Sequence, residues 1–253
     1  MADTESGGQV AQIFISDLHL APSRPEIVRL FESFLQGPAT EAEGLYILGD
    51  LFEYWAGDDD LEDPFNRRVM QAIATCASRG TRIHFMRGNR DFLVGDAFAL
   101  AGNLTLLDDP LRAELPDGPA LLSHGDQLCT DDLEYQAFRA RVRSKAWIAE
   151  FLERPLDERK AEIEALRRRS ETEKRVKSMA IMDVSEPAVI DTFRQHGLTR
   201  LIHGHTHRPA HHRLVVNSRD CERWVLADWY DTGNYLLADE SGIRSMPWTA
   251  ENA

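Results

Sequence analysis

Five short apolar runs in this chain each end in a cluster of Asp, His, Asn and Gly residues. Each run has the length and the aliphatic or β-branched content of a buried strand. Open α/β sheets bind ligands beyond the carboxyl ends of their strands, so the pattern gathers all five clusters at one candidate site. The clusters are Asp17-Leu18-His19, Gly49-Asp50, Gly88-Asn89-Arg90-Asp91, His124-Gly125-Asp126 and His203-Gly204-His205-Thr206-His207.

The segments between these runs predict how the strands are connected. Strands are predicted at 9–16, 45–48, 82–86, 121–124 and 200–203, and helices at 25–35 and from Pro64 to about residue 78. Alternation of strands and helices indicates a parallel sheet region. Short apolar runs at 214–216, 224–226 and 235–237 predict a second, partly antiparallel sheet in the tail.

A long helical stretch interrupts this pattern between the fourth and fifth strands. Residues 133–184 contain few turn residues and one break near Pro155, which predicts an inserted helical cap. The sequence contains no internal repeat and no low-complexity linker. We therefore expect residues 1–253 to form a single domain with a cap insertion at about 133–184.

Charge and composition restrict the possible partners. The net charge of −13 over 253 residues argues against general affinity for nucleic acid. Basic residues nevertheless outnumber acidic ones from 139 to 177, which favours anionic partners there, although a solvated helix face fits equally well. Three cysteines without a close pair and a polar, acidic start predict a cytoplasmic protein without a signal peptide. Because no run of about 18 apolar residues occurs, any membrane contact is expected to be interfacial.

The residue types in the five clusters favour a pair of divalent cations. Carboxylate, imidazole and amide groups ligate such ions, and one carboxylate commonly bridges them. A single cluster is more often an ordinary polar loop, but five in succession at strand ends are hard to assign to chance. In a strand, His203 and His205 would share one face, with Gly204 leaving room for a common metal. The role of His207 stays open.

The order D-x-H, G-D, G-N, H and G-H-x-H resembles the calcineurin-like metallophosphoesterase superfamily over about residues 13 to 207. Longer strings are similar to the UDP-2,3-diacylglucosamine diphosphatases of lipid A synthesis. The resemblance implies an α/β fold, namely a four-layer αββα sandwich of two mixed sheets with an inserted helical cap. These longer strings lie at 16–20, 46–53, 88–92, 124–126, 129–132 and 180–184.

The same resemblance implies a dinuclear manganese centre, with two Mn²⁺ ions per chain. Asp50 would bridge the ions. A hydroxide between them would attack the α-phosphorus of UDP-2,3-diacylglucosamine, giving UMP and 2,3-diacylglucosamine 1-phosphate. The implied catalytic residues are Asp50, Asn89, Arg90 and His124. The remaining implied ligands are Asp17, His19 and His205 for the first ion, and Asn89, His124 and His203 for the second.

Arg90 departs from the wider superfamily, in which the residue after Asn is usually a His that protonates an alkoxide. A sugar phosphate leaves as a stabilised anion, so a permanently charged Arg suits pyrophosphate cleavage better. The alternative is a structural pairing of Arg90 with Asp91. The resemblance implies that substrate is bound by Asn89, Arg90, Asp132, Ser170, Lys174, Lys177 and His203.

The resemblance also implies a monomer in peripheral contact with the cytoplasmic face of the bacterial inner membrane. The apolar cap residues could contact acyl chains or pack within the protein. Two other functions remain open: a phosphodiesterase or nucleotide pyrophosphatase with a soluble substrate, and a non-catalytic metal-dependent binding module. The apolar cap residues are Trp147, Ile148, Phe151, Leu152 and Leu156.

Overall fold

A computed structural model describes residues 11–174, 183–249 and 251, which contain eleven strands in two mixed sheets. The strands are β1 (Gln12–Ile15), β2 (Gly44–Ile47), β3 (Arg82–Met86), β4 (Leu104–Leu107), β5 (Leu111–Leu115), β6 (Gly118–Ser123), β7 (Arg200–His203), β8 (Ala210–Val216), β9 (Arg219–Val225), β10 (Gly233–Asp239) and β11 (Gly242–Trp248).

The first sheet has the strand order β11–β10–β1–β2–β3–β4, and the second has the order β5–β6–β7–β9–β8. Strands β1 to β4 are parallel to one another, while β10 and β11 extend that sheet antiparallel. In the second sheet, β6, β7 and β9 are parallel, and antiparallel β5 and β8 form the edges. The parallel strands of each sheet therefore end along one edge.

Most of the helices, though not the one that begins at Asp96, start where the sequence supplies a proline or a capping side chain. Asp63 accepts hydrogen bonds from two backbone N–H groups at the start of the third helix, and Ser185 caps the eighth in the same way. The helices are α1 (Pro25–Gln36), α2 (Pro38–Glu41), α3 (Pro64–Ser78), α4 (Asp96–Gly102), α5 (Leu133–Val142), α6 (Lys145–Leu152), α7 (Leu156–Lys174) and α8 (Glu186–His196). Among the described helices, none combines the length and apolarity needed to span a bilayer.

Alternation of side chains along the strands produces four layers. Ile13 and Ile15 pack with the buried faces of α1, α3 and α4, whereas Phe14 between them packs with Leu122 and Ile202 of the second sheet. The opposite face of the second sheet packs against α8 through Leu201 and its neighbours. The order helix, sheet, sheet, helix confirms the fold class expected from the sequence.

The tail differs from the prediction, because it does not form a sheet of its own. Strands β8 and β9 join the second sheet, while β10 and β11 join the first, where Phe14 of β1 pairs with Leu236 of β10. The free edge of β1 would otherwise expose unpaired backbone groups inside the molecule. Strands β4, β5 and β11 and helix α4 are further elements that the sequence pattern did not predict.

Helices α5 to α7 occupy the described part of the segment expected to form the cap. Arg159 of α7 is buried, donates to the carbonyl oxygen of Ala56 at 2.5 Å and forms a two-point ion pair with Asp59. Lys160 Nζ lies 2.5 Å from Asp60 Oδ1. These ion pairs attach α7 to the loop after β2, while the end of the cap near residue 184 stays a prediction.

The apolar residues of α6 mostly pack inside the protein. Phe151 is buried in the core that contains α1, α3 and the first sheet, and Trp147 and Ile148 pack against it. Trp147 stacks on Phe151 with ring centroids 4.5 Å apart. Leu152 is instead exposed. The packing alternative therefore accounts for three of the cap residues that acyl contact could have explained.

Candidate metal centre

The five polar clusters converge at the carboxyl ends of β1, β2 and β3 in one sheet and of β6 and β7 in the other. Backbone hydrogen bonds connect the loops that carry them. The N–H of Asp17 donates to the carbonyl oxygen of Gly49 at 3.1 Å, and the N–H of Gly204 donates to that of His124 at 2.9 Å. Each loop is thus held by its neighbour as well as by its own strand.

Two groups of side chains at this edge have the composition of metal sites. In each group, one potential ligand atom per residue lies within 4.8 Å of the others. All but two of these side chains belong to buried residues; His205 and His207 are half-buried. The first group is Asp17, His19 and His207, and the second is Asp50, His124 and His205.

The orientation of the side chains supports a shared ligand in each group. His19 Nε2 and His207 Nε2 lie 3.2 Å apart, so both ring nitrogens face the same point. In the second group, His124 Nε2 lies 3.7 Å from Asp50 Oδ1 and 3.0 Å from Asn89 Oδ1. Carboxylate, imidazole and amide ligands suit divalent transition-metal ions.

Asp17 provides a direct test of whether a cation fits. Its Oδ2 accepts hydrogen bonds from Ser16 Oγ at 2.5 Å and from the N–H of His205 at 2.8 Å. Its Oδ1 is buried and accepts no well-aligned hydrogen bond within the described residues, although His207 Nε2 lies 3.4 Å from it. A buried carboxylate oxygen without a donor is costly, and a divalent cation would satisfy it. The residues therefore fit a metal ion.

The structure groups the histidines differently from the assignment expected from the sequence. His203 belongs to neither group, because its Nδ1 lies 2.9 Å from Gly204 O and its Nε2 lies 3.0 Å from Arg223 Nη1. His205 lies with the second group rather than with Asp17, and His207 completes the first. The expected set is therefore shifted by two residues along the loop.

The backbone of the site explains this shift. Strand β7 ends at His203, so the alternation of faces along a strand does not extend to the residues after it. A left-handed backbone costs about 1–3 kcal/mol for a non-glycine residue and persists where the surroundings enforce it, commonly at functional sites. Five residues of the two groups have positive φ angles: Asp17 (57°), His19 (48°), Asp50 (54°), His205 (69°) and His207 (54°).

Two glycines allow the loops to approach the carboxylates. A Cβ atom on Gly88 would lie 2.1 Å from Asp50 Oδ1, and one on Gly204 would lie 2.3 Å from Asp17 Oδ2. Both distances are far below van der Waals contact. The glycines of the third and fifth clusters are thus needed for space at the ligands.

The fold and the site agree with the comparisons to known proteins. The calcineurin-like phosphoesterase family model matches residues 12–209. The chain belongs to the calcineurin-like phosphoesterases. Proteins named UDP-2,3-diacylglucosamine hydrolase are 55% identical in Aromatoleum aromaticum (92% of this chain, 95% of the relative) and 47% identical in Stenotrophomonas maltophilia (91% and 95%). Another from Hahella chejuensis is 44% identical over 95% of this chain and 98% of its own length.

This phosphoesterase is therefore a metal-dependent hydrolase with a dimetal centre, and within its superfamily it belongs to the family of the UDP-2,3-diacylglucosamine hydrolases. The two groups of ligating side chains are the places in the described chain where two ions fit. Membership of this family explains why two such groups occur side by side, because a dimetal centre needs ligands for two ions.

The electrostatics of the phosphoesterase site also favour bound cations. Burial raises the pKa of Asp50 to about 7, although His124 opposes the shift. Burial would lower the pKa of His124, but Asp50 and Asp126 outweigh it and raise the pKa to about 9. Burial would lower the pKa of His207, but the nearby carboxylates of Asp17 and Asp228 outweigh it and raise the pKa to about 9. The metal-free site therefore binds protons where cations would otherwise balance the carboxylates.

Arg90 and Asp91 occupy different environments in this phosphoesterase. The Asp91 carboxylate accepts hydrogen bonds from the backbone N–H groups of Gly88 at 2.8 Å, Leu51 at 2.8 Å and Asp50 at 3.3 Å. Arg90 Nη1 instead lies 3.5 Å from Glu53 Oε1. The pairing of Arg90 with Asp91 considered from the sequence is absent among the described contacts, and Asp91 holds two ligand loops together.

Of the substrate-binding residues expected from the sequence, Asn89, Arg90 and His203 lie at the strand ends, whereas Asp132, Ser170 and Lys174 lie on or at the start of the cap helices. Asp132 caps α5, where its Oδ1 accepts a hydrogen bond from the N–H of Tyr135 at 3.1 Å. Ser170 and Lys174 lie on α7, and Lys177 lies outside the described residues. Sequence reasoning missed Tyr135, whose ring stacks on His205 with centroids 5.9 Å apart. Its position on a helix without an apolar pattern gave no signal.

Proposed function

We propose that this chain hydrolyses the pyrophosphate of UDP-2,3-diacylglucosamine. Water adds to the α-phosphorus, the bond from that phosphorus to the bridging oxygen breaks, and UMP and 2,3-diacylglucosamine 1-phosphate are released. The leaving oxygen keeps the electron pair, and the proton of the water passes to solvent. The observation that carries the proposal is the pair of adjacent ligand groups at one sheet edge, in a chain closely similar to hydrolases named for this substrate.

The proposed ligands follow the geometry of the two groups. Asp17, His19 and His207 would hold the first ion, and Asn89, His124 and His205 would hold the second; Asp50, which lies in the second group, would be the ligand common to both ions. Two divalent cations bound there lower the pKa of a water molecule and neutralise charge on the phosphoryl oxygens. Mn²⁺ suits this mixture of oxygen and nitrogen ligands.

Arg90 stabilises the charge that develops on the pyrophosphate. Its backbone N–H donates to Asp50 Oδ1 at 2.8 Å, so it lies next to the bridging ligand. Its guanidinium is mostly buried and paired with Glu53 near the same site. An arginine keeps its charge at all relevant pH values and donates in a planar fork to phosphate oxygens. A phosphate leaving group needs little protonation, which agrees with an Arg at this position.

The second-ion residues also orient the substrate. The amide oxygen of Asn89 faces His124 Nε2 at 3.0 Å, so its amide nitrogen is free to turn toward a phosphoryl oxygen. His124 Nδ1 lies 2.8 Å from the carbonyl oxygen of Leu48, which leaves Nε2 as the ligand atom. Asp50, Asn89, Arg90 and His124 thus form the proposed catalytic set.

The cap binds the nucleotide sugar in this proposal. Asp132, Ser170, Lys174 and Lys177 supply polar and basic groups, together with Asn89 and Arg90 at the metal centre. The exposed side chains of Leu133 and Leu152 on the cap offer apolar surface to acyl chains. Basic and apolar residues side by side favour peripheral contact of a monomer with the cytoplasmic face of the inner membrane.

The test is hydrolysis of UDP-2,3-diacylglucosamine in detergent micelles, with and without Mn²⁺, in ¹⁸O-water and with products resolved by mass. The expected result is metal-dependent release of UMP that carries the label. Label in the sugar phosphate would overturn attack at the α-phosphorus. Cleavage of soluble phosphodiesters or nucleotides alone would overturn the lipid substrate, and binding of two Mn²⁺ equivalents without turnover would identify a binding module.

A further inference from the structure

Asp126 anchors helix α5 of the cap beside the second group of ligands. It follows His124 by two residues and is completely buried. Its Oδ2 accepts hydrogen bonds from Tyr135 Oη at 2.8 Å, Arg139 Nε at 2.8 Å and Arg143 Nη2 at 3.3 Å. All three donors lie on α5 or at its carboxyl end. The first cap helix is therefore attached directly to the loop that carries His124.

Arg143 connects this loop to a second ligand loop. The same Nη2 atom donates to the carbonyl oxygen of Gly88 at 2.9 Å. Gly88 directly precedes Asn89 in the sequence. It lies so close to Asp50 that a Cβ atom at this position would collide with Asp50 Oδ1. A single guanidinium nitrogen thus lies between the loop of His124 and the loop of Asn89. The two loops meet again at the 3.0 Å contact between His124 Nε2 and Asn89 Oδ1.

The buried carboxylate of Asp126 does not need Arg143 to balance its charge. A buried carboxylate is costly unless it is paired, and Arg139 already donates to the same oxygen over a shorter distance. Among the described contacts, Arg139 does not reach Gly88 or any member of the two ligand groups. The contact of Arg143 with Gly88 is therefore an additional feature, and it acts on the backbone next to a ligand.

We propose that Arg143, held by Asp126, is a positioning residue that fixes Asn89 relative to His124 and so sets the ligand geometry of the second ion. The inference rests on the ligand assignment proposed above. Groups that contact metal ligands without binding the ion commonly affect metal affinity or activity by about 10–100-fold. Arg143 is such a group through the Gly88 backbone, and Arg139 is its matched control.

The experiment compares Arg143→Gln with Arg139→Gln in the full chain. Each variant removes one charged partner of Asp126, so similar decreases in the thermal unfolding midpoint are expected. Titration calorimetry of Mn²⁺ into the metal-free proteins measures the two equivalents separately and needs no substrate. Arg143→Gln is expected to weaken the second equivalent about 10–100-fold and to lower kcat by a similar factor, with KM within about threefold. Arg139→Gln is expected to leave the affinity for the second equivalent and kcat within about threefold of the wild-type values.

Equal effects of the two variants on the second equivalent and on kcat would overturn the inference. Arg143→Lys provides a second measurement if the Gln variant does not fold, because an ammonium group still donates to Gly88 or to Asp126. The Lys variant is expected to bind the second equivalent more tightly than Arg143→Gln, and loss of that binding as complete as in an Asn89→Ala variant would count against the inference. Wild-type protein that binds fewer than two equivalents would overturn the ligand assignment and this inference together. The substrate assignment fails separately if wild type binds two equivalents but leaves UDP-2,3-diacylglucosamine intact.

Discussion

The sheet edge and the cap are held in place by different interactions. At the sheet edge, Asp17 and His124 are fully buried, and backbone hydrogen bonds fix the loops that carry them. The cap helix α7 is attached by the buried ion pair of Arg159 and by ion pairs of Lys160 and Arg167, whose side chains are 25% and 26% exposed. Buried backbone hydrogen bonds respond little to solvent, whereas partly exposed ion pairs are screened by salt.

If the cap binds the substrate as proposed, this difference separates the chemistry from substrate recognition. The two sheets set the positions of the candidate ligands, while α7 is held partly by cationic side chains that would also attract an anionic substrate. Changes at the sheet edge should therefore alter metal content and kcat. Changes in the cap attachment should alter KM first.

The largest effect is expected at the bridging carboxylate. Asp50→Ala should lower turnover by about 1,000-fold or more at saturating Mn²⁺, because the ions lose their common ligand. The control is Asp220→Ala, which removes an exposed carboxylate from β9. Turnover is measured after circular dichroism has shown that both variants are folded. Activity of Asp50→Ala within tenfold of wild type would contradict the bridging role.

The next effect separates the three histidines of the fifth cluster. His205→Gln and His207→Gln are each expected to lose one equivalent of metal and about 100-fold in turnover, because each removes a proposed ligand of one ion. His203→Gln should retain two equivalents, since glutamine can still accept the hydrogen bond from Arg223. Elemental analysis of the purified variants measures the metal. Loss of metal from His203→Gln alone would restore the assignment made from sequence.

A moderate effect is expected in the cap. Arg167 Nη2 lies 2.5 Å from Glu53 Oε1, whose carboxylate also faces Arg90. Arg167→Gln should raise KM about tenfold and change kcat less than threefold, because the cap loses an attachment and the metal centre keeps its ligands. Arg168→Gln is the control, since Arg168 pairs with Glu164 on the same helix. A decrease in kcat without a change in KM would show that the cap is part of the catalytic geometry.

The smallest effect is a pH dependence of metal binding. His124 and His207 each have a pKa of about 9 in the metal-free chain, so both carry a proton at pH 7 that a metal ion must displace. Mn²⁺ affinity should therefore rise with pH up to about 9, with release at pH 7 of about two protons from these histidines and a further fraction of a proton from Asp50, whose pKa is about 7. Calorimetry in buffers of different ionisation enthalpy counts these protons. A Mn²⁺ affinity that is constant from pH 6 to 9 would contradict the raised pKa values of His124 and His207.

Strand ends were the part of the fold that the sequence predicted well. Apolar runs that stop at a polar cluster identify β1, β2, β3, β6 and β7, because the change from apolar to polar side chains marks the point where each strand leaves the hydrophobic core. The placement of β10 beside β1 could not be predicted in this way. The placement depends on which free sheet edge the tail pairs with. The pattern of apolar side chains around Leu236 would fit either sheet, so it does not choose between them.

The candidate site shows the same limit in more detail. The residue types and their order predicted a dimetal centre, because carboxylate and imidazole chemistry is legible in sequence. Which histidines group together could not be read from the sequence, since the prediction extended the two-residue repeat of a strand beyond His203. The left-handed backbone of His205 and His207 breaks that repeat, and backbone conformation at a non-glycine residue leaves no mark in a single sequence.

The pairing of β1 with β10 has a consequence for the order of events during synthesis. Strand β1 carries the first ligand loop, yet its partner on one side begins at Gly233, close to the end of the chain. The first ligand loop also depends on this late segment, because the N–H of Trp229 donates to the carbonyl oxygen of Asp17 at 3.1 Å. The ribosome must therefore have synthesised the chain through β10 before the earliest ligand loop is complete.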